Sequence, residues 1–71
     1  MKITLKAARV SKGLTQKEAA KLIGVTVDTL ANYEKGKTYP DIPILKRIES
    51  VYGVEYNELI FLPENNALSV I

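Results

Sequence analysis

Apolar residues recur along this chain at helical spacing, in short blocks that each run into a glycine. Gly13, Gly24, Gly36 and Gly53 end four such blocks. A glycine just past a helix end takes the left-handed conformation without a Cβ penalty, so each reads as a stop signal. The first predicted helix covers about 4–12, with Leu5 and Ala8 on one face. The second covers about 16–23 and turns Ala19, Leu22 and Ile23 inward by i, i+3, i+4 spacing. Thr15-Gln16-Lys17-Glu18 ahead of it is a capping box, in which hydroxyl and carboxylate each take one backbone N–H. The third covers about 27–35 behind Thr26 as N-cap, with Leu30 and Tyr33 inward. Residues 36–40 form a loop. Asp41 can cap a fourth helix, and Pro43 is tolerable only in its first turn. Ile44, Leu45, Ile48, Val51 and Tyr52 give that helix its apolar stripe. A fifth helix is expected over about 56–62, with Leu59 facing the core and Pro63 ending it. The expectation is an all-α, compact five-helix bundle over residues 1–63, followed by a tail, 64–71.

Seventy-one residues make at most one domain. A chain this short buries only about 60% of its unfolded surface, so it needs efficient packing or a partner. There is no cysteine and no histidine. Disulfides and thiolate zinc sites are excluded, and the commonest general base and metal ligand are missing. No pair of carboxylates suggests a catalytic cleft. The expectation is therefore a protein that is not an enzyme, without metal or cofactor. No apolar run is long enough to span a bilayer, and residues 1–6 lack the apolar stretch of a signal peptide. Together these features predict a cytoplasmic protein with no membrane contact.

Net charge is only +2, but it is unevenly distributed. Residues 1–39 carry eight basic and three acidic side chains, a net +5, and residues 40–71 carry two basic and five acidic, a net −3. One face for a polyanion, with another turned away from it, is one reading of this asymmetry; an ordinary solvated surface is the other. The patterning adds weight to the first. Two short helices joined by a tight glycine turn at Gly24-Val25 can cross steeply, and small Ala19 and Ala20 allow close approach. With Leu30 and Tyr33 inward, the third helix is left with an outer face of Val27, Asp28, Ala31 and Asn32. These side chains are short, and the Glu/Lys pairs of a merely solvated helix are absent. Such a helix fits the major groove of B-DNA, about 12 Å wide.

The ordered combination Gly13-Leu14-Thr15-Gln16-Lys17-Glu18-Ala19-Ala20, Gly24-Val25-Thr26 and Thr29-Leu30-Ala31-Asn32-Tyr33-Glu34-Lys35-Gly36-Lys37 resembles the Cro/repressor helix-turn-helix family, with its lambda-repressor-like fold. The resemblance continues through Pro40, the fourth helix and Tyr56-Asn57-Glu58-Leu59-Ile60, and so covers about residues 3–62. It implies a sequence-specific DNA-binding transcriptional regulator of the phage repressor or Cro type, with the third helix in the major groove of an operator. Val27, Asp28 and Asn32 match the family's base-reading positions. Gln16 matches a phosphate contact that often packs on the first recognition residue, and Thr15 is a second phosphate candidate. Thr26 and Thr29 match positions near the DNA backbone, and Lys35, Lys37 and Thr38 match phosphate contacts. Arg9 and Glu34 match a partly buried structural salt bridge between the first helix and the end of the third. The implied partners are double-stranded DNA and a second copy of the chain. That homodimer would draw its surface from the fifth helix and tail, including Tyr56, Ile60, Leu62 and Leu68.

The residue chemistry sharpens these roles. Asn32 suits a bidentate contact to adenine N6 and N7, and Val27 offers an apolar surface to a thymine methyl. Asp28 has two readings: an acceptor for cytosine N4, or a first-turn acid favoured by the helix dipole. The third helix carries no arginine, so the commonest guanine contact is missing and a preference for A·T-containing half-sites is expected. The tyrosines at 33, 39, 52 and 56 read as core and rim packing, with Tyr39 also a phosphate candidate. Glu49, Tyr52 and Glu55 depart from the family, which favours a small alanine, a leucine and a serine or aspartate cap at those positions. A protein-interaction module, such as an antitoxin or antirepressor on the same fold, is the alternative reading, favoured by Asp28 and the missing arginine.

Overall fold

The computed structural model of the protein describes residues 2–61. Four helices account for most of them: α1 (Leu5–Ser11), α2 (Gln16–Ile23), α3 (Val27–Lys35) and α4 (Ile42–Tyr52). A 3-10 turn (Tyr56–Glu58) follows, and two short strands, β1 (Ile3–Thr4) and β2 (Leu59–Ile60), close the chain on itself.

Each helix begins at a side-chain cap. The hydroxyls of Thr4, Thr15 and Thr26 accept from the N–H groups of Ala7, Glu18 and Thr29, and the Asp41 carboxylate accepts from Ile44. These bonds satisfy donors that the first helical turn leaves unpaired. At Thr15 the box is complete, since the Thr15 N–H donates to Glu18 Oε1 at 3.0 Å. The α2–α3 turn depends on Gly24, whose φ of 91° is a conformation that L side chains rarely adopt. Its N–H and that of Val25 both reach back to the Ala20 carbonyl.

The core forms where α2 packs against α3 and α4 and α1 packs against α3. Leu5, Ile23, Leu30, Ile48 and Tyr52 are its largest fully buried side chains, joined by Ala8, Ala19, Ala20, Leu45 and Leu59. Burial of an aliphatic side chain of this size is worth about 1.5–3 kcal/mol, so this small set carries much of the fold's stability. Val25 packs on its edge beneath the turn.

Two expectations need correction. Leu22, assigned to the inward face of the second helix, is 59% exposed; the buried stripe of α2 is Ala19, Ala20 and Ile23. The i, i+1, i+4 stripe presents two alanines, which admit α3 and α4 closely, and rotates Leu22 out to solvent. The fifth helix does not form among the described residues. After one 3-10 turn the chain extends, and Leu59 and Ile60 pair in parallel with Ile3 and Thr4. Leu59 still enters the core, as expected, but from a strand. The switch has causes within the segment and outside it. The Tyr56 N–H donates to Glu49 Oε2 at 2.6 Å and the Glu55 N–H to Glu58 Oε1 at 2.9 Å, so the turn's donors are used by side chains. Leu59-Ile60-Phe61 then favours extended backbone through branched and aromatic side chains. Among the described residues the fold is therefore four helices tied by a two-stranded clasp. The expected tail contacts at Leu62 and Leu68 lie outside the described residues.

Candidate nucleic-acid interface

The α2–turn–α3 unit is held from behind at three points. Leu30 is fully buried and Tyr33 is 8% exposed, and together they anchor the inner face of α3. The third point is polar. Arg9 on α1 donates through Nε to Glu34 Oε2 at 2.8 Å and through Nη2 to Oε1 at 3.5 Å. Its Nη1 also donates to the Leu14 carbonyl at 2.8 Å. The Arg9 and Glu34 side chains are only 10% and 4% exposed, so the expected partly buried pair is present and deeply placed. It joins α1, the loop before α2 and the last turn of α3.

Gln16 belongs to the same network. Its Nε2 donates to Glu34 Oε1 at 2.9 Å, which ties the first residue of α2 to the last turn of α3. Gln16 was expected at a phosphate; the sequence carries no signal for this bond, because the partner lies in another helix. A primary amide carries two N–H donors, so one remains for an anion. Tyr52 lies in the field of this pair. Burial first, and then the Glu34 carboxylate, push its phenol up to about 12, against an opposing effect of Arg9. Its hydroxyl has no hydrogen-bond partner among the described residues.

The outer face of α3 is open. Val27 is 39% exposed, Asp28 is exposed, and Asn32 and Ala31 are half-buried, so none of the expected readers turns into the core. Gly36 ends the helix at φ 82°, and Lys37 and Thr38 follow as exposed side chains. Thr26 and Thr29 differ in what they have left to offer. The Thr26 hydroxyl donates to Thr29 Oγ1 at 2.9 Å while accepting the Thr29 N–H. The Thr29 hydroxyl hydrogen is the one available to a ligand.

Beside α3 lies a cleft of about 610 Å³ lined by Lys6, Arg9, Thr15, Gln16, Ala31, Glu34 and Lys35. It brings Thr15, Gln16 and Lys35 together at the N-terminus of α2, where unpaired N–H groups and the helix dipole favour an anion. Glu34 is neutralised by Arg9 at its floor, which leaves Lys6 and Lys35 as the cleft's exposed cations. Lys6 is not among the expected contact residues. The available signal was its i, i+3 spacing from Arg9 on one face of α1. Among the described residues no His/Cys/Asp/Glu cluster of metal-binding size occurs, and no helix is long and apolar enough to cross a membrane.

A helix-turn-helix family model matches residues 5–59. Several curated proteins are similar over most of the chain. The HTH-type transcriptional regulator YonR of the SPbeta prophage in Bacillus subtilis is 36% identical over 79% of this chain and 52% of its own length. The cryptic phage CTXphi transcriptional repressor RstR of Vibrio cholerae is 38% identical over 82% of this chain and 52% of its own. An HTH-type transcriptional regulator of Methanothermobacter thermautotrophicus is 37% identical over 87% of this chain and 90% of its own. The chain thus spans about half the length of the Bacillus and Vibrio relatives and nearly all of the archaeal one. The matched stretch holds the two capped helices, the left-handed glycine between them and the Arg9–Glu34 pair, and the chain belongs to the helix-turn-helix family.

Proposed function

We propose that the protein is a sequence-specific DNA-binding transcriptional regulator that lays α3 in the major groove of an operator. The observation that carries this reading is the outward face of Val27, Asp28 and Asn32 beside a cleft holding Lys6, Lys35 and the α2 N-terminus. Base edges and phosphates are offered complementary chemistry by adjacent parts of one rigid unit. Relatives described as transcriptional regulators, one of them a phage repressor, support the same reading.

In this reading Asn32 takes adenine N6 and N7, and Val27 packs on a thymine methyl. Asp28 takes a cytosine N4. Thr15, the second Gln16 N–H and the Thr29 hydroxyl hold phosphates, with Lys6, Lys35, Lys37 and Thr38 around them; Thr26 serves the cap. One α3 spans only a few base pairs, so two copies act on a palindrome with half-sites about 34 Å apart. Tyr56 and Ile60, both exposed, are the described residues proposed for the contact between copies. The setting is the cytoplasm, and no catalytic step is assigned.

The test is a titration of labelled duplexes at several salt concentrations, using random sequence and DNA flanking the coding region. Each phosphate neutralised lowers log K by about 0.9 per unit of log salt, so five or so contacts give a steep slope. A specific duplex should bind at least about a thousandfold more tightly than random DNA. Asp28 on the reading face, with no arginine on α3, favours a second reading, a protein-interaction module such as an antitoxin or antirepressor. Absence of binding to any duplex at low salt would establish that reading's advantage.

A further inference from the structure

The α2–α3 turn is gripped from α4. Arg47 is exposed, but its head folds back onto α2, where Nη1 donates to the Ile23 carbonyl at 3.4 Å. That carbonyl is one of the acceptors that the last turn of a helix leaves without an intrahelical partner. The bond is long, but its charge also faces the negative end of the α2 dipole. Gly24 makes the approach possible: a Cβ there would lie 2.8 Å from Nη1 and 3.9 Å from Cζ. Close approach of the guanidinium is thus a second reason for glycine at this position, beside its φ of 91°. The Arg47 stem is firmly rooted, because Leu45 and Ile48, which bracket it in sequence, are buried and α4 packs on α2. Among the described residues Arg47 meets this carbonyl rather than a carboxylate.

The geometry points to Arg47 as a positioning residue for recognition: it clamps the turn and so fixes the direction in which α3 leaves α2. The functional consequence rests on the DNA-binding reading. Thr26 caps α3 two residues after Gly24, and Val27 and Asp28 follow at once. Backbone rotation in so short a turn swings these first readers directly, because a few residues absorb the whole change of direction. The Ala20 carbonyl, which accepts from both Gly24 and Val25, holds the turn from the α2 side. Arg47 holds it from outside, so α4 takes part in setting the pose of α3. A fixed pose matters more to base edges than to phosphates. Base contacts need bidentate alignment, whereas phosphate attraction carries no sequence information and tolerates displacement. Loss of the clamp is therefore expected in specificity ahead of affinity. A single bond does not use the guanidinium's planar fork, so a lysine, with its own donor and charge, suffices at this position.

The experiment compares the full chain with Arg47→Met, which keeps the apolar stem, and with Arg47→Lys. Amide exchange is read first, without DNA. The Gly24 and Val25 amide protons should exchange about two- to tenfold faster in Arg47→Met, the span of one charge-assisted bond at a helix end, while those inside α3 keep their rates. Duplex binding is read second. The preference for a duplex from beside the coding region over a random one should fall by about the same factor in Arg47→Met and return in Arg47→Lys, with the salt slope on the random duplex retained. Uniformly faster exchange would mean plain loss of stability, and unchanged exchange would mean no clamp. A salt slope lower by about 0.9, with both duplexes weakened alike, would make Arg47 a phosphate contact. Each of these results overturns the proposal. A parent chain that binds no duplex would instead overturn the DNA-binding reading and the specificity claim with it, leaving exchange to decide the clamp. A double-mutant cycle with Gly24→Ala gives an independent check. Its fall in melting temperature should be smaller in the Arg47→Met background, where no guanidinium has to move; equal falls in the two backgrounds would also overturn the proposal.

Discussion

Replacing Arg9 with methionine tests how the interface unit is held together. The substitution keeps much of the apolar stem and removes the guanidinium. Among the described residues Glu34 then retains only the Gln16 amide at 2.9 Å, with its side chain 4% exposed, and the Leu14 carbonyl loses its Arg9 donor. Stranding one charge of a buried pair costs about 3–5 kcal/mol, chiefly through desolvation that nothing now offsets. A domain of this size has a total stability of only about 5–15 kcal/mol. Each kcal/mol shifts its melting temperature by about 4–8 °C, so a drop of at least about 12 °C is expected. The informative partner is the double variant Arg9→Met, Glu34→Leu. With no charge left to strand, it should recover about 2 kcal/mol or more of the loss, although the Leu14 carbonyl remains without its partner. Urea unfolding followed by circular dichroism, read as a double-mutant cycle, gives the coupling directly. A cost below about 1 kcal/mol for Arg9→Met, or a double variant no more stable than the single, would refute the claim that a desolvated ion pair braces α3.

Three further outcomes are expected. Asn32→Ala should cost about 1–3 kcal/mol on the specific duplex and little on random DNA, whereas Lys37→Ala should weaken both and lower the salt slope by about 0.9; competition assays at two salt concentrations separate them. Tyr52 ionises at about 12 in the folded chain against a usual value of 10.0, so its contribution to stability is complete below pH 10 and is lost as pH rises toward 12. Tyr52→Phe should flatten that alkaline loss in denaturant titrations and, by removing a buried hydroxyl with no partner among the described residues, leave neutral-pH stability unchanged or higher by up to about 1 kcal/mol. Gly24→Ala should destabilise by about 1 kcal/mol or more in thermal melts, because a Cβ at φ 91° is strained and would sit 2.8 Å from Arg47 Nη1, which reaches the Ile23 carbonyl at 3.4 Å.

The contrast between α2–α3 and the region after Gly53 shows what sequence reasoning reaches. Thr15, Glu18, Gly24, Thr26 and Gly36 act within four residues of themselves, so the limits of both helices could be read from local chemistry alone. The exposed placement of Val27 and Asp28 followed from the same periodicity. The stretch 56–62 reads as helical as well, but among the described residues the conformation of 56–60 depends also on β1 at the other end of the described chain and on Glu49 in α4. Leu22 was misplaced because an eight-residue helix offers two plausible apolar stripes, and only the neighbours choose between them. The Gln16–Glu34 bond and the convergence of Lys6 with Lys35 are likewise products of tertiary packing.

The two-residue pairing of β1 with β2 has a consequence for how the molecule opens. It joins segments from opposite ends of the described chain with a ladder only two residues long, and Lys2 adds a side-chain bond to the Asn57 carbonyl. Closing so long a loop is entropically costly, and few bonds set against that cost make this seam the first to part. Amide protons of Thr4 and Ile60 should therefore exchange with solvent well before those of α2 and α3, while the cap from Thr4 to Ala7 couples each such opening to the first turn of α1. Because α1 also carries Arg9, the brace of α3, slower exchange in α2 and α3 than at this seam would show that opening stops short of that ion pair.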